Sequence, residues 1–194
     1  KPNIIMLMID GVRYDAVDKV SYYKELKKSA VFFPNMITYA PYTIGSLYAM
    51  FSGMYGNKNG VNGYYKSYSF DKNNCFTLTQ YLKEAGYYTE TDLFNQNVVP
   101  NQGFDKVRIY DEFKEDLIKR HLEILNQIKL KQPFFLFLDY IKIHTNQVIN
   151  VIKKYSDFSE EYFNNKDKNF KNYLEWVKDS GNYLKIIINK IKEI

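Results

Sequence analysis

Cysteine is almost absent from this sequence, which has a single one, Cys75, among its 194 residues. A chain with one cysteine cannot form a disulfide within itself, so the disulfide-stabilised scaffolds of small secreted proteins are excluded. The neighbours of Cys75 are Asn73, Asn74 and Phe76, and none of them can act as a base toward the thiol. We therefore interpret Cys75 as a structural residue that is at least partly buried, and not as a nucleophile.

A long hydrophobic run is also absent. No apolar stretch reaches the length of about 20 residues that a transmembrane helix needs, so we predict no membrane span within this chain. The sequence starts without methionine, directly before its first predicted strand, which is typical of a processed or trimmed chain. A signal peptide or membrane anchor removed with that methionine remains an alternative.

The third absence is a strong net charge. The formal net charge is only +5, and the lysines are spread along the chain, as expected for the solvated faces of helices. A nucleic-acid site would need basic and aromatic residues interleaved on one surface. The segment Tyr64–Tyr68 has this character locally, but a tyrosine-rich loop over an active site explains it equally well. We therefore expect no nucleic-acid partner.

Apolar runs with strand character alternate with amphipathic stretches. Strands are predicted at 3–9, 32–39, 87–92, 106–110 and 133–139. Helices are predicted at 17–29, 44–52, 77–85 and 111–130 and over most of 159–193, with a loop at 56–63. This alternation predicts an α/β fold, with a mixed, mostly parallel sheet sandwiched between helices. The length fits a single domain over residues 1–194.

Two polar residues stand at the ends of predicted elements. Asp10 follows the first apolar strand, at the edge where parallel sheets place ligands, and a buried carboxylate is costly without a partner. Thr43 follows Pro41 and opens a predicted helix, where free N–H groups favour an anion. A carboxylate-held cation beside a hydroxyl suits attack on phosphorus or sulfur. The simpler alternatives are a turn cap for Asp10 and a helix N-cap for Thr43.

Six short motifs in order resemble one family. They are Pro2–Asp15, Phe33–Tyr39, Thr43–Val61, Thr77–Thr89, Gly103–Asp105, and Pro133–Leu138 with the nearby His144. Together they resemble the N-terminal part of the sulfatase family, in the wider alkaline phosphatase superfamily. The resemblance implies an α/β fold of the alkaline phosphatase and sulfatase kind.

The departures from that family point to phosphoryl chemistry. Sulfatases proper carry a Cys/Ser-x-Pro-x-Arg motif whose first residue becomes formylglycine, whereas this sequence has Thr43, Gly45 and Leu47 at those positions. Threonine cannot give that aldehyde. It is the nucleophile of the superfamily's phosphodiesterases and its phosphoethanolamine and phosphoglycerol transferases. The resemblance thus implies a hydrolase or transferase acting on phosphate esters, with a true sulfatase or a non-catalytic module as the alternatives.

The resemblance also assigns roles to individual residues. It implies catalytic roles for Thr43 and His144, metal binding by Asp10 and Thr43, and substrate binding by Ser46, Asn62 and Lys66. The cofactor is expected to be one or two divalent cations, with Zn²⁺ or Mn²⁺ favoured over Ca²⁺ or Mg²⁺, and no organic cofactor. The expected substrates are small-molecule, lipid or glycan phosphate or sulfate esters. Family members often act outside the cytoplasm, which favours an extracytoplasmic location.

One expected element is not found in the sequence. Family members complete the metal site with an Asp-His pair on a later strand, and no Asp-His dipeptide occurs here before the chain ends at Ile194. Asp10 with Thr43 alone is a poor site for a divalent cation, which wants several ligands in fixed geometry. We therefore expect this chain to be a fragment that lacks the C-terminal part, inactive alone.

Overall fold

A computed structural model of the chain describes residues 1–152 and 164–194. The chain divides into two compact units. The first, the sheet unit, comprises Lys1–Leu7, Pro34–Asp111 and Gln127–Asp139. The second, the helical unit, comprises Met8–Phe33, Glu112–Asn126 and Tyr140–Ile194. The prediction of a single domain over residues 1–194 stays a prediction.

The described residues form a four-stranded sheet. Its strands are β1 (Ile4–Ile9), β2 (Tyr88–Leu93), β3 (Lys106–Ile109) and β4 (Phe134–Tyr140), in the spatial order β1-β4-β2-β3. Strand β2 pairs in parallel with both β3 and β4, with Glu90 opposite Lys106 on one side and Leu136 on the other. Every residue of β4 is buried, as its apolar sequence predicts for a central parallel strand. The predicted α/β fold is thus confirmed.

Helices occupy much of the remaining chain. In chain order they are α1 (Tyr14–Val17), α2 (Ser21–Ser29), α3 (Thr43–Ser52), α4 (Gly56–Asn59), α5 (Leu78–Glu84), α6 (Leu117–Ile128), α7 (Lys142–Gln147) and α8 (Lys166–Ile191). The part of the predicted C-terminal helical region that covers residues 159–163 lies outside the described residues. Among the residues that the structure describes, no helix combines the length and apolarity needed to cross a membrane.

The ends of two helices follow local signals in the sequence. Helix α3 ends at Gly53, which adopts the left-handed conformation with φ 65° that favours glycine. Helix α5 begins with a capping box, in which Thr77 accepts a hydrogen bond from the N–H of Gln80 while the Gln80 side chain accepts one from the N–H of Thr77. Both helices therefore lie close to their predicted bounds.

The prediction of a strand at 32–39 is wrong. The structure has no helix or strand there, and Phe33 and Ile37 are 65% and 88% exposed. Pro34 lies in a turn within this segment and has no N–H to donate to a sheet. An apolar composition typical of a strand is thus overridden by a proline in its middle.

Other bounds also differ from the prediction, since α1 and α2 replace the single helix predicted at 17–29. The helix predicted from residue 111 begins only at Leu117, because the Asp116 carboxylate accepts hydrogen bonds from the N–H groups of Ile118 and Lys119 at 3.0 and 3.2 Å and so acts as an N-cap. The predicted loop at 56–63 contains the short helix α4, which ends at Gly60 with φ 89°.

Aromatic side chains fill the core of the sheet unit. Phe51 of α3 is 1% exposed, and its ring centroid lies 5.4 Å from that of Phe137 and 6.1 Å from that of Phe104. A second cluster contains Tyr48 and Cys75, which is 2% exposed. Burial raises the pKa of the Cys75 thiol, which agrees with an unreactive structural cysteine.

The core of the helical unit is built around α8. Val177, Tyr183 and Ile187 on this helix are fully buried. The hydroxyl of Tyr183 lies 2.7 Å from Nδ1 of His121, and its ring centroid lies 4.2 Å from that of Tyr140. His121 is itself fully buried, which fits a structural role in this core.

We predict that Phe51→Ala destabilises the protein by roughly 3–5 kcal/mol, because it removes a buried ring and leaves a cavity among the neighbouring phenylalanines. The free energy of unfolding in urea measures the effect. Tyr68→Ala, at a residue that is 80% exposed, is the control and should change stability by less than about 0.5 kcal/mol. Equal losses for the two variants would contradict the proposed core.

We also predict that stability falls between about pH 10 and pH 12. Burial raises the pKa of Tyr48 to about 12 from its ordinary 10.0. Below pH 10 the phenol is neutral in both states, whereas above pH 10 the unfolded chain loses the proton first and is favoured. Urea unfolding across this range should give a shallower decline for Tyr48→Phe and an unchanged one for the exposed Tyr68→Phe.

Candidate active site

Thr43 is the first residue of α3, in the sheet unit. Tyr42 before it occupies the N-cap with extended backbone, and its side chain makes no capping hydrogen bond. The first N–H groups of a helix have no acceptor within the helix, so this end attracts anions. Thr43 is partly exposed. The residue therefore stands where a bound anion and a hydroxyl can meet.

Packing explains the residues at the two positions after Thr43 that depart from the formylglycine motif, Gly45 and Leu47. At Gly45, a Cβ would lie 2.7 Å from Cε2 of Tyr42 and 2.9 Å from Cβ of Ala40, so a larger residue would displace the Tyr42 ring. Leu47 is 2% exposed, and an arginine there would bury a charge. The packing of α3 thus favours the residues present over those of the motif.

The loop that carries Asn62 and Lys66 contacts the start of α3. The ring centroid of Tyr64 in this loop lies 5.1 Å from that of Tyr42, the residue before the candidate nucleophile. Tyr65 adopts φ 61°, an uncommon conformation for a residue other than glycine. Asn62 and Lys66 are both exposed. The structure thus places their loop next to Tyr42, and their substrate-binding roles stay a prediction.

Ser46 is engaged in hydrogen bonds with the segment before α3. Its hydroxyl donates to the carbonyl oxygen of Ala40 at 2.7 Å and lies 2.7 Å from Oγ1 of Thr38. These bonds hold the turn that leads into the helix. The hydroxyl of Ser46 thus already has a structural function. Its predicted contact with substrate stays a prediction.

Asp10 and His144 lie on adjacent backbone segments of the helical unit. The N–H of Asp10 donates to the carbonyl oxygen of Tyr140 at 3.0 Å, at the carboxyl ends of β1 and β4. Gly11 has φ 86°, and a Cβ there would lie 3.2 Å from Cγ2 of Ile143 and 3.4 Å from the backbone nitrogen of His144. A glycine is thus needed for the turn after β1 to approach α7 this closely.

Tyr173 holds the same turn, and sequence reasoning missed it. Its hydroxyl accepts a hydrogen bond from the N–H of Arg13 at 2.6 Å and donates one to the carbonyl oxygen of Gly11 at 3.0 Å. Arg13 also forms a two-point ion pair with Asp15, at 2.7 and 3.0 Å, as expected for residues that fix a loop. No signal in the sequence identifies Tyr173, because a tyrosine on an amphipathic helix is ordinary.

Glu112 is a second residue that the sequence did not reveal. Its carboxylate accepts a hydrogen bond from the hydroxyl of Thr145 at 2.7 Å, and its carbonyl oxygen accepts one from Nζ of Lys142 at 2.8 Å. Both donors belong to α7, on either side of His144. Glu112 therefore fixes the short helix that presents the candidate histidine.

The described residues include side chains of the kinds that bind metals, but they do not form a complete metal site. In residues 1–152 and 164–194, no group of three or more His, Cys, Asp or Glu side chains could hold a metal ion. The carboxylate of Asp10 and the imidazole of His144 are suitable donors, and Nδ1 of His144 is buried with no hydrogen-bond partner in the described part of the chain. Two donors are too few for a zinc ion.

Sequence comparison identifies the family. A family model described as Sulfatase matches residues 2–193. The chain belongs to the sulfatase family. The predicted resemblance is thus confirmed, whereas the nucleophile at Thr43 is not decided by this match. No curated protein sequence matches the chain significantly.

Solved structures support the same fold for this sulfatase-family chain. The yidJ protein of Bacteroides fragilis, described as a candidate sulfatase, is 17% identical with a TM-score of 0.70, and the match covers 99% of this chain and 58% of that one. An inactive threonine-to-alanine variant of murine ectonucleotide pyrophosphatase/phosphodiesterase 5, in complex with AMP, is 12% identical with a TM-score of 0.72, covering 100% and 53%. The chain therefore spans little more than half the length of either protein.

We predict that Tyr173→Phe loosens the turn after β1. The variant removes an acceptor for the N–H of Arg13 and a donor to Gly11, at a cost of about 1–3 kcal/mol. Amide hydrogen exchange at Arg13 should accelerate along with the loss of stability. Tyr14→Phe, at a residue in the same unit that is 60% exposed, is the matched control. Unchanged exchange at Arg13 in the Tyr173 variant would show that the hydroxyl does not hold the turn.

Proposed function

We propose that the chain supplies the nucleophile-bearing part of a metal-dependent enzyme that cleaves or transfers phosphate esters, with Thr43 as the nucleophile. The observation that carries this proposal is the place of Thr43 as the first, partly exposed residue of α3. Membership of the sulfatase family supports an enzyme acting on esters of this kind. The threonine supports phosphate over sulfate, because it cannot become formylglycine.

The murine phosphodiesterase offers an independent parallel. Its structure was solved as an inactive variant in which a threonine is replaced by alanine, and with AMP bound. A phosphate ester and a functionally essential threonine thus occur together in a protein of the same fold. This supports the same combination here.

The proposed reaction has two steps. Oγ1 of Thr43 attacks the phosphorus in line with the leaving oxygen, so that a P–O bond to threonine forms and the bond to the leaving alcohol breaks. The threonine proton is lost to solvent, and the leaving oxygen takes up a proton to become the free alcohol. The N–H groups at the start of α3 stabilise the charge on the remaining phosphate oxygens. Water then releases the phosphoryl group in a hydrolase, or an acceptor alcohol does so in a transferase.

Asp10 and His144 have proposed roles in the same reaction. Asp10 would help to hold a divalent cation, Zn²⁺ or Mn²⁺, which would lower the pKa of a bound hydroxyl and neutralise charge. The buried, unpartnered Nδ1 of His144 supports a second ligand or a proton donor to the leaving group. The proposal that Asp10 and Thr43 both bind the metal is supported by the family resemblance alone. Asn62 and Lys66 are proposed to contact the substrate.

Two alternatives each have one observation in their favour. A non-catalytic module is favoured by the described residues, which contain no group of three metal-binding side chains. A true sulfatase is favoured by a further structural neighbour, solved with D-glucosamine-2-N,6-O-disulfate, which is 16% identical with a TM-score of 0.58 over 72% of this chain and 34% of that one.

We predict that Thr43→Ala lowers turnover of bis(p-nitrophenyl) phosphate by roughly 10³-fold or more in the longest natural form of the protein, since it removes the attacking group. Thr43→Ser should retain measurable turnover. In the parent, mass spectrometry of rapidly quenched reactions should find phosphate on the peptide that contains Thr43. Ser69→Ala, at an exposed hydroxyl of the same unit, is the control.

Three outcomes separate the candidate functions. Full turnover by Thr43→Ala would overturn the assignment of the nucleophile. Faster cleavage of p-nitrophenyl sulfate than of the phosphodiester by the parent protein would favour the sulfatase. Absence of turnover on both esters with Zn²⁺ and Mn²⁺ supplied would favour the non-catalytic module.

A further inference from the structure

The helical unit contains a cavity of about 450 Å³ beside the turn after β1. This volume falls within the range of sites that hold small molecules. Six of the residues that line it decide what it can bind. They are Arg13, Lys166, Asp167, Asn169, Phe170 and Trp176. Apart from Arg13, all of them lie in the first half of α8.

One side of the cavity is aromatic. Phe170 and Tyr173 are stacked with ring centroids 6.2 Å apart and an interplanar angle of 23°. The hydroxyl of Tyr173 is already bonded to Gly11 and Arg13, so this residue offers the cavity its ring. Trp176, one helical turn beyond Tyr173, adds a third aromatic side chain. Such a wall suits a flat ring in the ligand.

The polar groups of the cavity are mostly hydrogen-bond donors. Nδ2 of Asn169 is buried and has no hydrogen-bond partner among the described residues. Lys166 adds an ammonium group and Arg13 a guanidinium, of which Nε and Nη2 already donate to Asp15. Asp167 adds one carboxylate, and the Gln147 amide adds both a donor and an acceptor. Buried polar groups are normally paired, and an acceptor on a ligand would pair the Asn169 amide. The donor excess therefore favours a ligand that carries acceptor oxygens.

The charges around the aromatic wall disfavour a cationic ligand. Cζ of Arg13 lies 5.7 Å and Nζ of Lys19 lies 4.8 Å from the ring centroid of Phe170. These cations already occupy positions over the ring that a cationic ligand would seek. A ligand with a positive charge would meet repulsion there, whereas an anion would be attracted.

We propose that this cavity binds a small molecule that combines a flat ring with an anionic group. The proposal does not depend on the reaction at Thr43, because it concerns equilibrium binding within the helical unit. None of the residues assigned to the metal or the nucleophile lines the cavity, and Gly11, which follows Asp10, is the lining residue nearest to them in sequence.

Benzoate is a suitable probe, since it has a ring and a carboxylate but is not a phosphate or sulfate ester. Trp176 is the only tryptophan of the chain, so its fluorescence reports on the cavity directly. At constant ionic strength, we expect benzoate to change the Trp176 emission saturably, with half-saturation on the order of 1 mM. Acetate lacks the ring, benzyl alcohol lacks the charge and benzylamine reverses it. Each should bind at least about fivefold more weakly than benzoate.

Three variants test which groups bind the probe. Asn169→Asp replaces the buried donor by a carboxylate and should weaken benzoate binding at least about tenfold. Lys166→Gln removes one cation and should weaken it severalfold. Lys171→Gln makes the same change at an exposed lysine of α8 that does not line the cavity, and it should leave binding unchanged.

The proposal is overturned if benzoate produces no saturable change, or if benzylamine binds as tightly as benzoate. Equal effects of Lys166→Gln and Lys171→Gln would also overturn it, because the effect would then reflect net charge alone. Circular dichroism checks that each variant is folded. Should Asn169→Asp fail to fold, the comparison of the two exposed lysines decides the outcome.

Discussion

One hydroxyl group holds the turn from which Asp10 extends. The phenol of Tyr173 bridges the carbonyl oxygen of Gly11 and the N–H of Arg13, and so pairs two backbone groups that no strand or helix satisfies. The same turn favours Gly11 itself, because its φ of 86° is strained for other residues and a Cβ there would lie 3.2 Å from Cγ2 of Ile143 in α7. Tyr173 of α8 and Gly11 after β1 together fix where the strand ends and how closely α7 approaches it.

Much of the fold could be predicted because its signals are local. The buried strand β4 follows from a run of apolar residues, and α3 ends at a glycine that accepts a left-handed conformation. The capping box of α5 is likewise contained within four residues, Thr77–Gln80. The segment 32–39 shows the limit of such reasoning. Its composition favours a strand, but the structure places Pro34 in a turn and leaves Ile37 exposed.

The sequence likewise predicted some residues of the candidate site and missed others. Asp10 and Thr43 stand at the end of a strand and the start of a helix, which are positions that a sequence marks by itself. Tyr173 and Glu112 act on residues that are distant in the chain, and Arg13 and Tyr173 have a sequence separation of 160. Their roles depend on which helix packs against which loop, and no local pattern encodes that. The supporting residues of a candidate site are therefore harder to find than the candidate reacting ones.

The packing around Gly45 and Leu47 also bears on how this chain has diverged within the sulfatase family. A formylglycine motif would need a new side chain at residue 45, where Tyr42 and Ala40 leave no space, and an arginine at residue 47, which is buried. Each replacement made alone would disturb α3 before the new chemistry existed. Installing the motif would therefore be epistatic, because Tyr42 and the neighbours of Leu47 would have to change together with it.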